Sequence, residues 1–201
     1  MLGTNCLAPL ALYEKNRGRR VKAIKELFLI LSVIILSPLL IPMVYVERRR
    51  KKWFLSTLLS PLPEDIRVGR VNSLMNTNAD ALQGRIVSTL VELNSDERWV
   101  CLNIDWRDVE EVGLQGNALA DTHGLKEHFM CSEPDEDASV WSMLVLYDLW
   151  LQARGYDVVL LDISADQYTG FICPSNILDK LLNEGGKLGL ELVKLDHVNE
   201  Q

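Results

Sequence analysis

Three aspartates stand at or just beyond the ends of two strand-like runs, and carboxylates so placed are the groups of this chain best suited to chemistry. Arg98 to Ile104 (RWVCLNI) is followed by Asp105, while Tyr156 to Ile163 (YDVVLLDI) contains Asp162 and is followed by Asp166. If the two strands were adjacent and parallel, the carboxylates would converge on one sheet edge as oxygen ligands for Mg²⁺ or as an acid and base pair. The local reading is the commoner use of such residues: Asp105 caps a helix, and Asp162 or Asp166 closes a turn. No catalytic residue, metal or cofactor is therefore assigned. His123, His128 and Cys131 are good zinc ligands within nine residues, but their spacing matches no standard zinc site and a fourth ligand is missing nearby. Gly185, Gly186 and Lys187 resemble part of a phosphate loop. Leu188 stands where Ser or Thr should meet magnesium, so a helix end is the better reading.

A second kind of chemistry needs no reaction. Trp106 and Tyr168 lie close in sequence to Asp105, Glu110, Glu111, Asp162 and Asp166. Aromatic residues of this size usually belong to the core, but exposed beside acids they make a binding surface for a basic partner. Trp141 and Trp150 are expected to be buried, because the helix around them is apolar on more than one face.

The elements that must position these residues can be read from periodicity and punctuation. Ser60 to Pro63 (SPLP) reads as a linker, with the folded head starting near Glu64. Leu82 to Leu93 shows helical spacing, and a strand at 98–104 leads through Asp105 into a helix over Val109 to Leu119 that Gly124 ends. The acidic loop Glu133 to Asp137 precedes a helix over Ala138 to Arg154, closed by Gly155. Tyr156 to Ile163 and Tyr168 to Cys173 read as a hairpin. A helix opened by Pro174 and Ser175 is expected to end at Gly185 and Gly186, before a last strand over Leu188 to Leu195. The fold class is α+β or α/β, a sheet of about four strands with flanking helices, preceded by one transmembrane helix.

That last element is the uncharged run Leu27 to Val46 (LFLILSVIILSPLLIPMVYV), 20 residues between two basic clusters. A helix of that length covers about 30 Å, the hydrocarbon thickness of a bilayer. The chain divides into a basic tail (1–26), a membrane helix (27–46), a basic juxtamembrane segment and linker (47–63) and an acidic globular domain (64–201). Pro38 and Pro42 are expected to kink the membrane helix. Six positive charges precede the run and five, Arg48 to Lys52, follow it, so the charge bias hardly orients it. The contiguous second cluster, with Trp53 and Phe54 at the interface, favours anchoring on anionic lipid and a cytoplasmic head at the cell inner membrane. Residues 1–52 hold 11 Lys and Arg against 3 Asp and Glu, whereas residues 53–201 hold 10 against 25. Such a head repels nucleic acid, and its partners should be neutral or basic. Cys6 precedes the run while Cys101, Cys131 and Cys173 follow it, which implies no disulfide framework. Cys101 and Cys173 lie in apolar runs, as small buried hydrophobes do.

Trp99 to Trp106 (WVCLNIDW) with Val109, Glu110, Glu111 and Val112, and later Gly155, Tyr156, Leu161, Asp162, Asp166, Tyr168, Gly170 and Phe171, resembles the bacterial domain of unknown function 6630 family. The resemblance covers about half the chain and omits the membrane stem. It implies a small bacterial α+β domain and assigns no activity. The function expected from the residues is that of a membrane-anchored, non-enzymatic interaction domain, of which an immunity protein neutralising a cationic toxin is one concrete version. The alternative is a hydrolase or phosphoryl-transfer enzyme using the three aspartates with a divalent metal.

Overall fold

The apolar runs at 156–163 and 168–173 alternate their side chains between two hydrophobic cores, and that alternation organises the molecule. The structure, a computed structural model, describes residues 25, 43–95, 98–130, 138–162 and 166–195. It comprises two compact units, Met1–Glu47 and Arg48–Gln201. In the first, the described residues 43–47 are helical and Met43 to Val46 are exposed. Positions 27–42 of the expected membrane span lie outside the described residues, as do Pro38 and Pro42. Among the described residues no helix is long and apolar enough to cross a membrane.

The second unit is α+β. Its elements are α1 (residues 48–58), α2 (Glu64–Met75), α3 (Ala79–Leu93), β1 (Leu102–Asp105), α4 (Val109–Thr122), α5 (Val140–Gln152), β2 (Tyr156–Asp162), β3 (Gln167–Pro174), a 3-10 turn (Ser175–Ile177), α6 (Leu178–Lys187) and β4 (Val193–Lys194). The four strands form one sheet in the order β1-β3-β2-β4, and every neighbouring pair is antiparallel. The expected hairpin is β2 and β3. Val158, Leu160 and Ile172 pack with Leu102 and Ile104 against α4 and α5. Val159, Leu161, Phe171 and Cys173 pack on the opposite side against α1, α2, α3 and α6. A period of two on each strand thus places helices on both faces.

Local chemistry accounts for several boundaries. Ser139 caps α5 in a reciprocal arrangement with Ser142. Gly124 and Gly155, at φ 79° and 80°, take the left-handed turns after α4 and α5 that a Cβ would strain. The acidic loop expected to precede α5 falls at 131–137, outside the described residues. Helix α6 runs through Gly185 and Gly186 to Lys187 instead of ending there, because its apolar residues Leu178 and Leu181, with Gly185, hold one face against the core. Only two residues of the expected last strand pair, Val193 with Leu160 and Lys194 with Val159.

Residues 47–63, read above as juxtamembrane segment and linker, supply Phe54, Leu55, Leu58, Leu59 and Leu62 to the core of the head, all at most 4% exposed. Each such burial stabilises by about 1.5–3 kcal/mol. The basic cluster there is divided by packing. Arg50 donates to Glu184 at 2.6 Å. Lys51 donates to the carbonyls of Met75 and Thr77 at the end of α2, at 3.2 and 2.6 Å.

Side chains close the open edges of the sheet. Gln115 of α4 accepts from the Asn103 N–H at 2.8 Å and donates to its carbonyl at 3.0 Å, as a neighbouring strand would. Asn94 does the same for Cys101, accepting its N–H at 3.3 Å and donating to its carbonyl at 3.0 Å. Beyond the short β4, Asp148 accepts the Val158 N–H at 2.6 Å, and Gln83 donates to the Leu161 carbonyl at 2.8 Å.

Candidate functional site

Leu102 and Ile104 are drawn into the core beside α4, which leaves Asp105, the last residue of β1, exposed at the sheet's end. Its carboxylate accepts the Arg107 N–H at 3.0 Å and its carbonyl accepts the Asp108 N–H at 2.9 Å, folding the chain into the turn that starts α4. Asp105 is therefore a turn former. The N-cap position belongs to Asp108, which makes no side-chain cap bond. The Trp106 N–H donates to the Asp166 carbonyl at 3.1 Å and ties this turn to the entrance of β3. Glu110 and Glu111 occupy the first turn of α4, where free N–H groups favour negative charge. Glu111 also accepts from Gln115 at 3.0 Å.

Trp106 is 47% exposed, and the Arg107 guanidinium lies 4.6 Å from its ring centre. Asp105, Asp108, Glu110 and Asp166 are exposed around it. The fold thus brings six of the seven candidate residues, Asp105, Trp106, Glu110, Glu111, Asp162 and Asp166, to one end of the sheet. Tyr168 is half-buried and turns inward, opposite Ile104, with its ring 6.0 Å from that of Trp141. Asp162 ends β2 opposite Thr169. The adjacency that would make the aspartates converge does not occur: β1 and β2 run parallel, but β3 lies between them. At about 4.8 Å per strand spacing, their backbones are roughly 10 Å apart. The antiparallel pairing of β2 with β3 puts β3 in that place.

The other candidate chemistry is used structurally. His123 packs edge-on to Tyr156 at 5.7 Å, and burial lowers its pKa from 6.5 to about 4. His128 pairs with Asp121 at 3.3 Å, and Cys131 lies outside the described residues. Among the described residues no three His, Cys, Asp or Glu are grouped to hold a metal. Lys187, the end of the supposed phosphate loop, donates to Glu184 from within α6. Burial pushes the thiols of Cys101 and Cys173 up to about 12, the range of inert core cysteines. Trp141 and Trp150 are half-buried and not fully enclosed. Trp150 stacks on Tyr147 at 5.7 Å and carries the Arg154 guanidinium at 4.1 Å.

Sequence reasoning overlooked one polar network. Asp148, fully buried in α5, accepts from Val158 N–H and from Gln152, which also donates to the buried Asp157 at 3.3 Å. The signal was an acid in the middle of an apolar helix (VWSMLVLYDLWLQ), since a carboxylate there needs donors.

The model of a family described as "Domain of unknown function (DUF6630)" matches residues 53–196. No curated protein matches the chain, and no solved structure matches it.

Proposed function

We propose that this chain, which belongs to the domain of unknown function 6630 family, is a membrane-tethered, non-enzymatic interaction protein whose acidic head takes a basic partner at the sheet end carrying Trp106. The observation that carries the reading is the half-exposed Trp106 with an arginine guanidinium on its face and exposed carboxylates around it. A large aromatic ring has few rotamers to lose on binding, and aromatic residues dominate the energetics of interfaces. The surrounding carboxylates steer a cationic partner and discriminate against an acidic one. Arg107 on Trp106 is an internal example of the cation that fits there. The apolar run Leu27 to Val46 supplies the tether, and the cluster after it favours a head on the cytoplasmic side of the cell inner membrane.

The test is capture of partners by the full chain in detergent, from its own cells and from cells expressing neighbouring genes, compared with Trp106→Ala and with Asp105→Asn combined with Glu110→Gln. A partner of this site is held by the wild type at low salt, weakened at least about ten-fold by Trp106→Ala, and released as salt screens the acids. Capture unaltered in both variants would refute the reading.

A further inference from the structure

On a head whose residues 53–201 hold 25 acidic against 10 basic residues, one face is basic. Arg50, Lys180 and Lys187 gather about the junction of α1 and α6. Lys180 places its ammonium 4.0 Å over the Trp53 ring, and Glu184 receives Arg50 at 2.6 Å and Lys187 at 2.9 Å. Lys187 and Arg50 hold the Glu184 carboxyl below its ordinary pKa of 4.5, so it stays ionised and paired. Arg49 and Lys52 are both exposed on α1, Arg49 four residues before Trp53 and three before Lys52, so that it neighbours each of them on the helix surface. Asp179 precedes Lys180 and lies about 100° round α6 from it, off this face. Lys51 is turned to the end of α2 and takes no part.

We infer that this α1 and α6 face, with Arg49, Lys52, Trp53, Lys180 and Lys187, docks the head on a bilayer surface of anionic phospholipid. The inference rests on the membrane-tethered reading above and adds an orientation to it. Two observations select this occupant. The charge is complementary to anionic headgroups while the rest of the head is repelled by them. The face is also built on the helix that follows directly, in sequence, the apolar run Leu27 to Val46. Trp53 is half-buried against the core and carries Lys180 over its ring, so the lysine is the group that reaches the phosphates there. Docked in this way, the head keeps its acidic surface turned to the solvent.

The experiment uses the full chain with vesicles of phosphatidylcholine alone or of phosphatidylcholine with phosphatidylglycerol. Flotation on a density gradient reports association, and acetylation of lysines read by peptide mass spectrometry reports the face in contact. The expected result is flotation with both, and acetylation of Lys52, Lys180 and Lys187 roughly five-fold slower on the anionic vesicles, with Lys126 and Lys194 unchanged. High salt should remove the difference without releasing the chain. Flotation with equal rates on both vesicles, or slowing shared by Lys126 and Lys194, overturns the docking face and leaves the tether standing. A chain that floats with neither vesicle overturns both.

Discussion

Replacing Gln115 with Leu should open the outer edge of β1 without changing the volume of the core. The side chain is 7% exposed and makes three hydrogen bonds: it accepts from Asn103 N–H at 2.8 Å and donates to the Asn103 carbonyl and to Glu111, each at 3.0 Å. Leucine fills nearly the same space and can make none of them. Both backbone groups of Asn103 then lose their partner, at about 1–3 kcal/mol for each group left buried and unpaired. Asn103 is itself half-buried, so water recovers part of that loss, and the net cost is about 2–3 kcal/mol. For a head of this size that corresponds to a fall in Tm of roughly 5–10 °C. The assay is thermal unfolding of the full chain in detergent, followed by tryptophan fluorescence, together with hydrogen exchange resolved at the Asn103 amide. That amide should exchange at least about ten-fold faster in the variant, because a local opening replaces a closed bond. A Tm within about 1 °C of wild type together with unchanged exchange at Asn103 would refute the claim that the Gln115 side chain stands in for a missing strand.

Gly116→Ala would place a Cβ 2.9 Å from the Tyr147 ring, whose hydroxyl donates to the Gly116 carbonyl at 2.6 Å, so a loss of about 1–3 kcal/mol is expected in chemical denaturation. His123 stays neutral in the fold down to about pH 4, whereas the unfolded chain takes up its proton near 6.5, so stability should fall as pH drops through that window and the slope should end below it. The carbonyls at the end of α4 pull the other way, which limits the effect to about 2 kcal/mol, and His123→Asn should flatten the pH dependence of the denaturation midpoint in that window. Cys101 and Cys173 should resist iodoacetamide at pH 8 in the native protein and react once denaturant is added, as read by peptide mass spectrometry; rapid native labelling would show that their burial is not maintained.

Much of the head was legible because its signals are local. The hairpin follows from two apolar runs across a short polar turn, and α5 from an apolar stretch closed by Arg154 and Gly155. The residues that carried the family resemblance lie within the span the family model matches. The helix over Val109 to Leu119 follows from its own apolar spacing, and its first turn holds Glu110 and Glu111. What escaped was non-local: that Gln115 and Asn94 serve as strand surrogates, that Asp148 is buried to receive Val158, and that Lys51 turns from the solvent to the end of α2. None of these partners can be paired by reading along the chain, because each contact joins residues brought together only by packing.

Hydrophobic periodicity, glycine at helix ends and charge balance determined by themselves an acidic α+β or α/β domain of about four strands after residue 63, since a side chain's alternation or helical spacing is a property of the local backbone. The order β1-β3-β2-β4 was decided only in three dimensions. A strand that lies between two others does so because both of its edges find partners and both of its faces find cores, and those are gains of the assembled sheet. On that order rests whether Asp105 and Asp162 meet or are held roughly 10 Å apart with β3 between them.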